Sequence, residues 1–264
     1  MNNQFSRRSL IQYTSYTFFI FWILLGITGV LIYLKVPVII QDIMKNVCAW
    51  SPTFAILILF RKIYPGLTLK EHLKTNFQGK IKASSFISGF ILQFAVLFLA
   101  IALYLLFKHQ NIASLHFITI SAIIPVLLMD IISGATGEEL GWRVFMLREF
   151  QKKYSLLISS LLTGFIWGIW HFPLWLLSGY SGMNLVIYIF AFMTSILSFS
   201  IIISYFYVNG NNILIAMWLH LLFNFSLKII QVDLLQLLGW ISVSLSLTAI
   251  VLIVLKRKIF FQNV

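Results

Sequence analysis

Long apolar runs, each ended by a short cluster of basic or turn-forming residues, fill the chain from one end to the other. Runs of about 20 residues match the ~30 Å hydrocarbon core of a bilayer at 1.5 Å per helical residue. The pattern predicts spans over about 13–34, 47–60 (short, and interrupted at Ser51-Pro52), 86–107 and 117–133. The fourth breaks at Ser133-Gly134-Ala135-Thr136-Gly137, and a helical stretch continues to about Phe150. Further spans follow over about 154–177 and 185–207, then a seventh holding His220 after the Asn209-Gly210-Asn211-Asn212 turn, and an eighth over about 234–255. The expected fold class is all-α, a polytopic transmembrane helical bundle of about eight spans. No internal repeat or low-complexity linker divides it, so residues 1–264 read as a single transmembrane domain.

Composition sharpens this. Of 264 residues, 60% are hydrophobic and 10% charged, against about 25% charged in soluble domains. The net charge of +12 does not point to nucleic acid, because the basic residues lie in short clusters between apolar runs, where they set topology. With both termini inside, only Lys35, Lys45, Lys108 and Lys228 of the 19 basic residues fall outside. That bias predicts an integral, multi-pass plasma membrane protein with cytoplasmic N and C termini. The first apolar run reads as a span rather than a cleavable leader. Cys48, the single cysteine, excludes an intrachain disulfide and reads as a small buried apolar residue. The basic segment 61–82, with Glu71 and His72, reads as an interfacial surface attractive to anionic headgroups.

Against this apolar background the stretch Gly137-Glu138-Glu139-Leu140-Gly141-Trp142-Arg143 is conspicuous. It holds two of the chain's seven acidic residues and an arginine, and ionisable groups at membrane depth mark working sites. Glu139 and Arg143, four apart, share a helix face and can pair. Glu138 points about 100° away, which leaves it for chemistry; the plainer alternative is one buried network without catalysis. His171 closes Trp167-Gly168-Ile169-Trp170-His171, and the midpoint between it and Glu138 falls in the turn 152–155. Antiparallel helices folded there would bring Glu138 and His171 to equal depth. Trp167, one turn before His171, walls the site or simply packs. His220 and Asn224 again share a face and could donate two hydrogen bonds to an oxyanion, or merely join two helices. Asp130 reads as a structural hydrogen-bonding group, while His109 and His116 read as solvated loop residues.

In order, Glu-Glu-x-x-x-Arg, aromatic-x-x-x-His and His-x-x-x-Asn resemble the CPBP family of intramembrane proteases. That family includes the CAAX prenyl endopeptidases and the bacteriocin-processing or immunity (Abi) proteins. The resemblance runs from Glu138 to Asn224, within an expected catalytic core at 117–232, and departs at Trp167, where the family usually has phenylalanine. It implies that Glu138 and His171 activate a water, that His220 and Asn224 stabilise the oxyanion, and that Glu139, Arg143 and Trp167 support the site. It also implies a fold like that of the CAAX endopeptidases and a membrane-associated peptide or protein substrate, for CAAX-type processing or for bacteriocin maturation and self-immunity. Chemistry without a cofactor is expected, with zinc on Glu138, His171 and His220 as the alternative. A non-catalytic immunity or peptide-binding protein using the same cavity is the rival reading. Substrate identity and oligomeric state are not legible.

Overall fold

The computed structural model describes residues 5–79 and 81–262. Among these the regular elements are helices, with one isolated β-bridge between Phe117 and Ile230. The Ser6 hydroxyl accepts from the Ser9 N–H and opens α1 (Arg7–Tyr33). α2 (Val38–Cys48) and α3 (Ser51–Ile63) meet at a 51° bend, where Pro52 starts α3 at a position whose N–H has no helical partner. Thr68 and Glu71 form a reciprocal capping box on α4 (Leu69–Phe77). α5 (Ala83–Lys108) precedes α6 (Ile120–Asp130), and two π-helical stretches, Ile131–Ala135 and Leu140–Leu147, then carry the acidic motif. α7 (Arg148–Gln151) turns into α8 (Leu156–Trp170) and α9 (Phe172–Leu176). α10 (Gly182–Gly210), α11 (Ile213–Ser226), α12 (Leu234–Leu255) and α13 (Arg257–Phe261) complete the order.

The fold is all-α and membrane-spanning, and among the described residues fewer than eight helices have the length of a full span. Five helical stretches are long and apolar enough to cross a bilayer, and the bent α2–α3 pair makes a sixth. α8 and α11, apolar helices of 15 and 14 residues, reach only about 22 Å at 1.5 Å per residue. α11 is buried nearly all round, whereas α8 is buried on one face and exposes Ile158, Phe165 and Ile169 on the other; α10 packs along α8 and α12, and α5 along α11 and α12. A helix wrapped in protein, as α11 is, need not match the lipid thickness, because neighbouring helices surround its ends. α8 ends seven residues before the expected 177, with His171 as its last half-helical residue and Pro173 just inside the next helix.

Small side chains let α8 and α10 approach closely. The Ser200 hydroxyl donates to the Ser160 carbonyl (2.8 Å), and a Cβ on Gly164 would stand 2.8 Å from Ser200 Cβ. One end of the bundle gathers the basic segments. There Asn212 caps α11 and donates to the carbonyls of Phe77 (3.0 Å) and Gly79 (2.8 Å), Arg148 donates to Asn211 (3.2 Å), and α13 packs on α8. Lys80 lies outside the described residues.

His72, expected at an interface, is instead buried between Phe60 and Tyr64, its ring centroid 4.2 Å from that of Tyr64. Burial, reinforced by nearby Arg148, pushes its pKa down to about 4. At the opposite end Gln231 N–H donates to the His116 carbonyl (2.8 Å) and Ile118 N–H to that of Ile229 (3.1 Å). Beside that clasp, buried Asp130 pairs with Lys228.

Candidate active site

The break predicted at 133–137 is present. Ser133 leaves helical backbone (φ −84°, ψ −114°), and side chains from α3 and its approach take the freed carbonyls. Trp50 Nε1 donates to Ile132 O (2.6 Å) and Thr53 Oγ1 to Gly137 O (2.7 Å). The Gly137 oxygen is buried and needs such a partner. Gly137 is glycine for space, since a Cβ would meet Trp50 Cδ1 at 2.8 Å.

Glu138 follows, 4% exposed. Its Oε2 accepts two indole N–H bonds, from Trp142 (3.0 Å) and Trp167 (2.6 Å), which leaves Oε1 turned toward Gly134. A Cβ built on Gly134 would stand 2.8 Å from Glu138 Oε1, 3.0 Å from His220 Nε2 and 3.1 Å from Asn224 Nδ2. A carboxylate oxygen, an imidazole nitrogen and an amide nitrogen thus converge on one gap, sized for a water or a carbonyl oxygen.

The expected Glu139–Arg143 pair is formed, with Arg143 Nε 3.2 Å from Glu139 Oε2 and both side chains fully buried. Glu139 does more than the spacing suggested, because its Oε1 lies 2.7 Å from His220 Nδ1. That bond fixes the imidazole with Nε2 toward the Gly134 gap.

Trp167 joins the rest. Beyond its bond to Glu138, its face carries the Arg143 guanidinium (5.0 Å), and its ring meets that of His220 at 5.2 Å. Its carbonyl lies 2.9 Å from His171 Nδ1. His171 itself is half-buried, edge-on to Trp170 and Phe192. Among the described residues no hydrogen bond joins His171 to Glu138; Trp167 stands between them. The register estimate assumed α-helical rise on both sides of the turn. The π-helical winding of Leu140–Leu147 covers less length per residue, so Glu138 reaches the level of Trp167, one turn short of His171.

The zinc alternative finds no gathered ligand set. No group of three His, Cys, Asp or Glu side chains suited to a metal ion occurs among the described residues. In the named trio, Glu138 Oε1 and His220 Nε2 face the gap together, whereas His171 lies across Trp167. Asp130 turns away to Lys228.

Two contributors escaped the sequence reading, Trp142 and Gly134. Both lie four residues from Glu138, on its own helix face, so the spacing that paired Glu139 with Arg143 would have found them.

Residues 120–226, which hold all three motifs, match the family model described as type II CAAX prenyl endopeptidase Rce1-like. The chain is also similar to the CAAX prenyl protease 2 of Methanococcus maripaludis, with 34% identity over 146 residues. That alignment covers 53% of this chain, and the chain spans about half, 53%, of the relative's length. The segment that builds the gap around Gly134 is therefore the part of the chain that is similar to the type II CAAX prenyl endopeptidase Rce1-like family.

Proposed function

We propose that the chain is an intramembrane endopeptidase that hydrolyses a peptide bond in a membrane-associated peptide or protein. The convergence of Glu138 Oε1, His220 Nε2 and Asn224 Nδ2 on the Gly134 gap carries this reading. In the proposed reaction Glu138 takes a proton from a water through Oε1 while the water oxygen bonds to the scissile carbonyl carbon. The oxyanion that forms accepts hydrogen bonds from Asn224 Nδ2–H and from Nε2–H of His220 as the imidazolium, whose Nδ1–H stays on Glu139; one such donor is worth roughly 3–4 kcal/mol of barrier. Collapse breaks the C–N bond, and the proton on Glu138 passes to the leaving amine. The two indoles hold Glu138 in one rotamer throughout, and Glu139 holds His220. His171, on the half-buried side of Trp167, is assigned to the water and leaving-group side of the gap. No step uses a metal.

The substrate class follows the relative's name: a prenylated C-terminal peptide is the first choice, and a bacteriocin-type precursor the second. The site would be reached from the cytoplasmic side, or laterally from lipid, in a plasma membrane protein with both termini inside.

The test is N-terminal peptidomics of membranes carrying the wild-type, Glu138→Gln or His171→Ala protein at matched expression, with and without chelator. Termini lost in both variants and retained with chelator support the reading. Chelator-sensitive termini would return zinc to Glu138, His171 and His220. Identical termini in all three membranes would refute the protease and favour a peptide-binding immunity protein.

A further inference from the structure

A groove of about 530 Å³ opens between the start of α1 and the α7–α8 turn, and it shares no lining residue with the gap at Gly134. Arg7 and Lys153 lie at its rim beside Phe5 and Tyr154, and its floor is apolar, with Leu10, Leu162 and Ile166. The Lys153 ammonium is held over two rings, 5.3 Å from the centre of Phe5 and 5.2 Å from that of Tyr154. Both cationic side chains are exposed.

What the groove lacks is a carboxylate. The chain has seven Asp and Glu residues, and each is engaged elsewhere. Asp42 pairs with Lys45, Asp130 with Lys228, and Glu139 with Arg143 and His220. Glu71 and Asp233 cap α4 and α12, and Glu138 holds two indoles. Glu149, just before the turn, is buried, accepts from Ser6 N–H (2.6 Å) and pairs with Lys152 (2.7 Å). Among the described residues neither Arg7 nor Lys153 has an ion pair, which leaves both cations open to an anion from outside.

Two uncompensated cations above an apolar slot, at the basic end of a membrane bundle, complement an amphiphile with an anionic head. The slot follows α1 from Arg7 to Ser15, about 12 Å at 1.5 Å per residue, long enough for a headgroup and the first part of an acyl chain. We propose that this groove binds one anionic phospholipid, its phosphate between Arg7 and Lys153 and an acyl chain between α1 and α8.

Native mass spectrometry of the full chain in detergent, titrated with dioleoyl phosphatidylglycerol or dioleoyl phosphatidylcholine, tests this. The wild type should retain one phosphatidylglycerol at least tenfold more tightly than phosphatidylcholine. Arg7→Gln/Lys153→Gln should erase that preference, whereas Lys74→Gln/Lys82→Gln, the same charge change elsewhere, should keep it. Ile166→Trp fills the slot without touching charge and should weaken retention of both lipids, which keeps the test alive if the double variant does not fold. Equal retention of the two lipids by the wild type would overturn the proposal. So would equal losses in the two double variants.

Discussion

Replacing Gly134 by alanine asks whether the gap beside it is where the reaction occurs. Gly134 is not among the glycines with positive φ, so alanine can adopt the backbone, and its better helix propensity offsets some of the crowding, by up to about 1 kcal/mol. The new methyl would stand 2.8 Å from Glu138 Oε1, 3.0 Å from His220 Nε2 and 3.1 Å from Asn224 Nδ2. Non-bonded heavy atoms prefer about 3.5 Å or more. Glu138 cannot retreat freely, because Oε2 is tied to Trp142 and Trp167. The methyl therefore either displaces the base or pushes back a donor, and it occupies the place of the water in both cases. Loss of one oxyanion donor alone costs about 10²–10³ in rate. We expect kcat to fall at least 100-fold on a quenched peptide with a prenylated cysteine, with KM within a few-fold and the melting temperature in detergent nearly unchanged. A folded Gly134→Ala protein with kcat within threefold of wild type would refute the assignment of the gap.

Glu138→Gln keeps an acceptor for the indoles while removing the base, so cleavage should drop by 10³ or more at unchanged stability; residual activity above a few percent would refute the role. In Trp142→Phe and Trp167→Phe each loses one of two equivalent donors, so each single change should cost less than the pair. A double-mutant cycle with no coupling would show that the indoles do not act together on Glu138. Glu139→Gln removes the group that orients His220, and loss of an imidazole's orienting carboxylate costs up to about 10⁴ in known triads; unchanged kcat and an unchanged pH–rate profile would dismiss that bond. His72 binds a proton more readily unfolded, near 6.5, than folded, near 4. Its stabilising contribution is thus complete above pH 6.5 and is lost as pH falls toward 4. Thermal unfolding in detergent should show a smaller acid-side loss in His72→Phe than in wild type, and parallel curves would contradict it.

What the sequence made legible was mostly what acts within one helix, although Trp142 and Gly134, on the same face as Glu138, were passed over. The four-residue spacing of Glu139 and Arg143 gave their pair, and that of His220 and Asn224 gave two groups facing one point. Hidden were contacts that depend on how helices meet. Nothing local announces that Glu139 also reaches His220, 81 positions on, or that Trp167 rather than His171 arrives at Glu138. The number of full crossings was hidden for a related reason. Apolar runs such as α8 and α11 look alike whether they face lipid or protein, and only packing distinguishes a full crossing from a short interior helix. His72 was misplaced because polarity suggested solvent, while the aromatic shelf of Phe60 and Tyr64 that buries it lies in another element.

The π-helical winding after Glu138 has a consequence for the length of the chain itself. An i→i+5 circuit holds one residue more than an i→i+4 circuit, so the Leu140–Leu147 stretch behaves as an insertion already absorbed. Deleting Val144 would let the segment relax to an ordinary helix and retain its hydrophobic character. Because the wide circuit holds the extra residue as a bulge, its loss would leave Lys152, Lys153 and α8 in phase with Glu138. Loss of one residue between Leu140 and Leu147 should therefore be tolerated far better than gain of one, and natural variants of this chain that differ in length there should be one residue shorter.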